Sequence, residues 1–476
     1  MGQEINEIRF SQQDFDNFYH RLAQETELLG RWFNENTFRA CPPKAGLELE
    51  AWLIDKNKSP APINGVFLET LNSPLVTPEL ATFNVEFNLA PAEISGSVLS
   101  RMNTALQKDW NKACDVANQM GADLGMIGIL PTVENKHLIM DNLSSMNRYV
   151  ALNHEILRLR GGRPLQLDIH GKDILRAEHN DVMLESATTS FQIHLQVSPE
   201  LAVQAYNASI IASAPLVAVS ANSPYLFGHD LWAETRIPLF EQAVEVGGYE
   251  EESHGPMRRV TFGSGYARHS LMECFTENLE HYPVLLPTKF ESPVEEMEHL
   301  RLHNGTLWRW NRPLLGFENG EPILRIEQRV VPAGPTIIDS FANAAFYYGL
   351  TNALCKMESA PEDIMDFAQA RDNFYACAQH GLDAHIVWLD GEKHPAKSLL
   401  QNVLLPLAKQ GLADLGIYDK DISKYLSIIS GRVRSNRNGT NWQRDFVAKH
   451  GNDMKALLIA YMERQQTRKP VHEWDL

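Results

Sequence analysis

Four short segments of the sequence carry acidic, amide or basic side chains at every second position. They are GLELEAW (Gly46–Trp52), FNVEFNL (Phe83–Leu89), FQIHLQV (Phe191–Val197) and LRIEQRV (Leu324–Val330). Successive side chains of a strand point to opposite faces, so each segment places its polar residues on one face and its apolar residues on the other. We predict four strands, each with one polar face.

The composition of these polar faces differs from that of an ordinary solvent-facing strand, which usually includes lysine. Their polar residues are Glu48, Glu50, Asn84, Glu86, Asn88, Gln192, His194, Gln196, Arg325, Glu327 and Arg329. If the four strands share one sheet, four glutamates lie close together and repel one another in a partly buried cleft. Divalent cations would relieve that repulsion, and a ligand set dominated by oxygen favours Mg²⁺ or Mn²⁺ over zinc.

The same pattern indicates chemistry on phosphate groups. Mg²⁺ held by carboxylates together with substrate phosphates is the usual arrangement in nucleotide sites. Arg329, two positions after Glu327, would supply positive charge to a phosphoryl group during its transfer. The sequence contains no glycine-rich phosphate loop of the Walker or dinucleotide type. An acidic protein that binds anionic substrates therefore needs local arginines and metal cations.

Composition excludes several classes of partner. The chain has 476 residues and a net charge of −17, which argues against nucleic-acid and anionic-membrane partners because both require clustered positive charge. The five scattered cysteines show no metal-ligand spacing and indicate reduced thiols. The N-terminal residues lack the apolar segment of a signal peptide, so we expect a cytoplasmic protein. The oligomeric state, a homo-oligomer included, stays open.

Hydrophobic periodicity predicts an α+β fold with a mainly antiparallel sheet, because strand and helix signals do not alternate strictly. Helical spacing covers residues 1–40, 102–120, 138–160, 199–221 and 230–245, and almost everything after Asp339. The apolar run within 199–221 is too short to span a bilayer and predicts a buried helix. We assign residues 1–338 to a catalytic domain and 339–476 to a mainly helical extension packed on it.

Five motifs, in order along the chain, resemble those of the glutamate–cysteine ligase family, within the broad carboxylate–amine ligase group. They are GLELE (46–50), VEFNLAP (85–91), SFQIHLQ (190–196), ANSPYLFG (221–228) and RIEQR (325–329). The resemblance implies a fold similar to the catalytic domain of glutamine synthetase. In that fold a curved antiparallel sheet, flanked by helices, carries metals and substrates on its concave face.

The resemblance also implies roles for individual residues. The metal ligands, for Mg²⁺ or Mn²⁺, would be Glu48, Glu50, Glu79, Glu86, His194 and Glu327. Arg329 would contact the phosphate that is transferred from ATP, the co-substrate. The substrate-binding residues would be Arg148, Arg236, Arg259 and Tyr266.

The implied activity is ATP-dependent phosphorylation of the γ-carboxylate of glutamate, followed by amide formation with an amine. Cysteine is the first candidate for that amine. Leucines occupy the first motif where many such ligases have isoleucine and arginine, and the acceptor-binding residues match least. A related ligase with another amine acceptor is therefore one alternative. Three further alternatives are a guanidino kinase, a metal-dependent hydrolase with an open metal site, and a ligase that has lost its activity and only binds its ligands.

Overall fold

The computed structural model describes residues 4–246 and 258–476. Its centre is an antiparallel sheet of seven strands, accompanied by three two-stranded hairpins. In chain order the strands are β1 (Lys44–Ile54), β2 (Val76–Pro78), β3 (Asn84–Glu93), β4 (Asp123–Gly125), β5 (Leu165–His170), β6 (Ile174–His179), β7 (Phe191–Val197), β8 (Tyr225–Leu226), β9 (His229–Asp230), β10 (Asn311–Glu318), β11 (Glu321–Gln328), β12 (His385–Val387) and β13 (Lys393–Pro395).

Helices surround this sheet, and short 3₁₀ turns join several of them. In chain order they are α1 (Gln12–Asn34), α2 (Asn64–Leu71), α3 (Val98–Gln119), α4 (Asn147–Leu159), α5 (Ala202–Ser220), α6 (Arg236–Ala243), α7 (Met272–His281), α8 (Glu298–Gly305), α9 (Ile337–Cys355), α10 (Pro361–Ile364), α11 (Phe367–His380), α12 (Ala396–Leu399), α13 (Leu405–Asp414), α14 (Asp419–Ser435), α15 (Gly439–His450) and α16 (Met454–Gln466).

The sheet has the order β10-β11-β7-β1-β3-β2, and β4 extends it by pairing with the end of β1. Every pairing within it is antiparallel, and the sheet curls into a half-barrel. The predicted α+β class with a curved, mainly antiparallel sheet is therefore confirmed. All four predicted strands lie in this one sheet.

The alternating pattern separates the two faces of the sheet as predicted. Leu49, Ile193 and Ile326 are fully buried on the face covered by helices. Glu48 and His194 lie on the opposite face, which borders a cavity. One face therefore stabilises the fold by removing apolar surface from water, at about 25 cal/mol per Å², and the other face is available for chemistry.

Helix α5 lies on the apolar face and packs against α9 and α11. Together with the preceding turn it is long and apolar enough to cross a membrane, but 89% of its apolar window is buried inside the protein. The expectation of a buried core helix is confirmed.

The C-terminal helices pack on the same side of the sheet. Helix α9 contacts α5, α13 and α14, and the Tyr348 hydroxyl on α9 donates to the main-chain carbonyl of His194 at 3.1 Å. Residues from both sides of position 338 share one hydrophobic core, Leu49 and Leu350 among them. The division at 338 stays a prediction.

A hairpin, a strand and a helix boundary are among the differences from the sequence-based expectation. The hairpin β5–β6 and strand β10 were not predicted. Pro313 and Gly316 interrupt the alternation of β10, whereas buried and exposed residues do alternate along β5 and that signal was overlooked. Helix α4 begins at Asn147, not near residue 138, since two short 3₁₀ turns occupy the preceding residues.

Candidate active site

A cavity of about 320 Å³ lies on the polar face of the sheet. All but two of the predicted site residues line it. Those that do are Glu48, Glu50, Glu79, Glu86, Arg148, His194, Arg236, Glu327 and Arg329. Among the described residues, the lining contains six glutamates and six arginines but neither lysine nor aspartate, so the cavity presents charged groups of both signs to a ligand.

Arg259 and Tyr266 are not among the described residues that line this cavity, and their contact with a substrate stays a prediction. Arg259 is 1% exposed, and its guanidinium donates to the carbonyl and hydroxyl of Thr306 and to the carbonyl of Pro283. Tyr266 packs edge-on against Phe367. Both side chains therefore contact other parts of the protein outside the cavity lining.

The first cluster of candidate ligands is Glu48, His194 and Glu327, referred to here as triad 1. One ligand atom from each lies within 4.8 Å of the others. The register explains the cluster: His194 on β7 pairs with Glu327 on β11 and, on its other side, with Gly46 on β1. A Cβ at Gly46 would lie 3.2 Å from the Cβ of His194, so glycine leaves room for the imidazole.

Electrostatic contacts hold the side chains of triad 1 in place. His194 Nε2 lies 3.3 Å from a Glu48 oxygen and 4.0 Å from a Glu327 oxygen. Burial opposes ionisation of Glu48, but the neighbouring His194 lowers the pKa of Glu48 to about 2. Burial likewise opposes ionisation of Glu327, yet Arg312 and Arg329 hold its pKa well below the usual value.

The second cluster is Glu50, Glu79 and Glu86, referred to here as triad 2, with one oxygen of each within 4.8 Å of the others. Glu50 and Glu86 pair directly across β1 and β3, while Glu79 follows β2. Glu50 is fixed by Ser190, whose main-chain amide and hydroxyl each donate to it at 2.7 Å.

Triad 2 has less positive charge close to it than triad 1. Burial, together with the Glu79 carboxylate, raises the pKa of Glu50 to about 7. Burial and the carboxylates of Glu48 and Glu79 raise the pKa of Glu86 well above its usual value. Three carboxylates at this separation, one buried and two half-buried, repel one another, and a cation between them would remove the repulsion.

A hydrogen-bonded bridge connects the two triads. Arg329 Nη1 donates to Glu327 of triad 1 at 3.0 Å and to Gln192 Oε1 at 2.5 Å. Gln192 Nε2 in turn donates to Glu50 of triad 2 at 3.0 Å. The Arg329 guanidinium is thereby held between the two clusters.

Arg236 and Arg148 occupy other parts of the cavity wall. Arg236, at the start of α6, is paired with Glu234 at 3.2 Å and donates to the carbonyls of Arg329 and Val330. It therefore fixes the main chain that carries Arg329. Arg148, on α4, donates to the Tyr149 hydroxyl at 2.6 Å. Their contact with a substrate carboxylate stays a prediction.

The residues present fit a divalent metal. Neither ring nitrogen of His194 makes a hydrogen bond among the described residues, although the ring is 5% exposed. Carboxylate oxygens dominate both triads, which suits Mg²⁺ or Mn²⁺. Triad 1 could bind one ion and triad 2 another.

Sequence reasoning missed three residues that border the site. Glu185 lines the cavity from a 3₁₀ turn, which gives no periodic signal. Arg312 makes a bidentate contact with Glu327 at 2.9 and 3.1 Å and is its register partner on β10. Gln192 was noted as part of a polar face, but its bridging role depends on the register of β7 with β1. Recognition of β10 would have revealed Arg312.

Comparisons with solved structures identify proteins of similar fold. A glutamate–cysteine ligase from Francisella tularensis, solved in complex with AMP, is 13% identical with a TM-score of 0.55, covering 92% of this chain and 90% of that one. A bifunctional glutathione synthetase from Pasteurella multocida is 11% identical with a TM-score of 0.51, covering 94% of this chain and 55% of that one. At these identities the likeness shows the fold.

Comparison with curated protein sequences found no match. The model of glutamate–cysteine ligase family 2, in contrast, matches residues 44–469, which include both triads, the bridge and the C-terminal helices. Since that match covers most of the chain, the protein belongs to glutamate–cysteine ligase family 2 and is an enzyme of the ligase class.

Proposed function

We propose that this protein is an ATP-dependent ligase that phosphorylates the γ-carboxylate of glutamate and joins it to an amine, with cysteine as the acceptor. The observation that carries the proposal is the convergence of two acidic triads and Arg329 on one cavity. Membership of the family supports it. The AMP in the Francisella structure of similar fold supports nucleotide binding in particular.

The chemistry requires activation because a carboxylate has no adequate leaving group for attack by an amine. One γ-carboxylate oxygen attacks the γ-phosphorus of ATP, and ADP leaves with the electrons of the broken P–O bond. The amine then attacks the acyl carbon, the C–N bond forms and phosphate leaves with one proton released. A bound divalent metal would supply positive charge to the phosphate oxygens.

The chain's own residues supply orientation and charge. Arg329 would stabilise the phosphoryl group in transfer, in the manner of other transition-state arginines. Arg325 offers a second cation, because its Nε is buried without a hydrogen-bond partner among the described residues. Arg148 and Arg236 are the proposed contacts of the glutamate carboxylate. The five free cysteines need no catalytic role.

The direct experiment measures ATP consumption by the purified protein with Mg²⁺ and glutamate across a panel of amines with and without cysteine. We expect glutamate-dependent ADP and phosphate release that cysteine accelerates, with γ-glutamylcysteine as product. Turnover with another amine but not cysteine would retain the ligase and replace the acceptor. Hydrolysis of an amide without ATP would favour the metal-dependent hydrolase, and no nucleotide turnover at all would contradict the proposal.

Replacement of Gln192 by methionine is predicted to lower kcat by about 10- to 100-fold, the usual range for residues that hold catalytic or metal-binding groups in place. The variant removes the bridge between Arg329 and Glu50 but preserves side-chain length. Steady-state kinetics on the wild type and the variant would measure the effect.

The matched control is Gln196→Met. Gln196 lies four residues along the same strand, is equally buried and contacts Cys41 outside the cavity lining. Equal losses of kcat in both variants would show that disturbance of the strand, and not loss of the bridge, lowers kcat.

A further inference from the structure

Glu185 is a rigidly held acid in the cavity wall. It lies in the 3₁₀ turn Val182–Ala187, which Asp181 caps by accepting from the Met183 amide at 3.0 Å. The amide and hydroxyl of Thr188 both donate to the Glu185 carbonyl, at 2.9 and 2.8 Å. The backbone that carries this side chain is therefore fixed on both sides.

One oxygen of the Glu185 carboxylate is unpaired within the protein. Its Oε2 is shielded from solvent and accepts no hydrogen bond from any side chain or main-chain group in residues 4–246 and 258–476. Buried polar atoms normally have a partner, so an unpaired carboxylate oxygen in a cavity wall is expected where the partner is a ligand.

The surroundings of Glu185 distinguish between a metal and an organic cation. It belongs to neither triad, so it does not lie with two further ligand atoms at metal-bridging distance among the described residues. One carboxylate suffices for an ammonium group, whereas it would hold Mg²⁺ only together with substrate phosphates and waters. Glu185 and Arg329 line the same cavity, so a cation bound at Glu185 would share that cavity with the phosphoryl group.

We propose that Glu185 binds the ammonium group of the acceptor amine in the cavity that holds both triads. This inference rests on the proposed ligase function and assigns its acceptor subsite. The ligand class is a primary amine that enters in its protonated form, such as an amino acid. Glu185 would position the nitrogen near the acyl carbon. The ammonium group must lose one proton before its nitrogen can attack, and the Glu185 carboxylate that holds it is the adjacent acceptor for that proton.

The test is Glu185→Gln, assayed as the full-length protein with Mg²⁺, ATP and glutamate. We expect the KM for cysteine, or for the best acceptor of the panel, to rise about 10- to 100-fold, because a charge-assisted hydrogen bond is lost. The KM values for ATP and glutamate and the half-saturating Mg²⁺ concentration should change less than twofold. Turnover with hydroxylamine, which is largely uncharged at neutral pH, should be retained.

The matched control is Glu178→Gln, which neutralises an exposed glutamate on β6 outside the cavity. A shift in the Mg²⁺ requirement of Glu185→Gln would identify a metal ligand and overturn the inference. An unchanged acceptor KM, or an equal loss for cysteine and hydroxylamine, would also overturn it. A wild type that turns over no ATP with glutamate would instead remove the proposed function, and the inference with it.

Discussion

Replacing Arg329 by methionine is expected to lower kcat by about 10³-fold or more, as loss of other transition-state arginines does. Arg329 lies between the triads, hydrogen-bonded to Glu327 and Gln192, so its charge is pre-positioned where the phosphoryl group would pass. A fixed cation in a water-poor cavity stabilises developing negative charge without reorganisation. ADP and phosphate release, measured at saturating glutamate and Mg²⁺, would report the loss.

Arg312→Met provides the contrast, because Arg312 holds Glu327 from the other side. Its guanidinium donates to both Glu327 oxygens and to the carbonyls of Asn304, Gly305 and Leu307. Loss of such a buried partner costs about 3–5 kcal/mol of folding stability. We expect Arg312→Met to lower Tm more than Arg329→Met does. A variant of Arg329 that loses stability but retains kcat would contradict its catalytic role.

Glu86→Gln is expected to have opposite effects on the metal-free fold and on activity. Glu86 is 3% exposed and is repelled by Glu48 and Glu79, so neutralising it should raise the metal-free Tm by about 1 to 3 °C. Activity should fall by about 10³-fold, because triad 2 loses a charged ligand next to the transferred group. Removing a charge thus stabilises the fold and disables the site.

Thermal unfolding with EDTA and with Mg²⁺, combined with activity, would measure both effects. The wild type should gain Tm from Mg²⁺, and the Glu86→Gln variant should gain less. Glu93→Gln, at the exposed end of the same strand, is the control and should behave like the wild type. A lower metal-free Tm in Glu86→Gln, with an undiminished response to Mg²⁺, would show that triad 2 is structural.

The faces of the sheet were predictable from sequence because the two-residue period of a strand is fixed by backbone geometry. Glu48 and Glu50 could be assigned to one side without knowledge of the fold. Which strands are neighbours depends on long-range pairing, and for that the resemblance was needed. The convergence of His194 and Glu327 follows only from the register of β7 with β11.

The features that the sequence did not indicate have equally specific causes. Arg259 was assigned from a short motif match, but its main chain pairs with Trp308 and its side chain turns under the end of α8. Glu185 lies in a 3₁₀ turn, where the spacing of residues in the sequence does not indicate which way a side chain points. The bridging role of Gln192 depends on two hydrogen bonds with partners far away in sequence. Such contacts form only in the folded chain, so the sequence pattern does not indicate them.

The central claim is that two separate groups of side chains in one cavity bind divalent metal. The most direct measurement is a crystal structure with Mn²⁺ and a non-hydrolysable ATP analogue, in which anomalous scattering locates the ions. We predict anomalous peaks bounded by Glu48, His194 and Glu327 and by Glu50, Glu79 and Glu86. Ordered nucleotide without a peak at either triad, or Mn²⁺ bound only elsewhere on the protein, would contradict the claim.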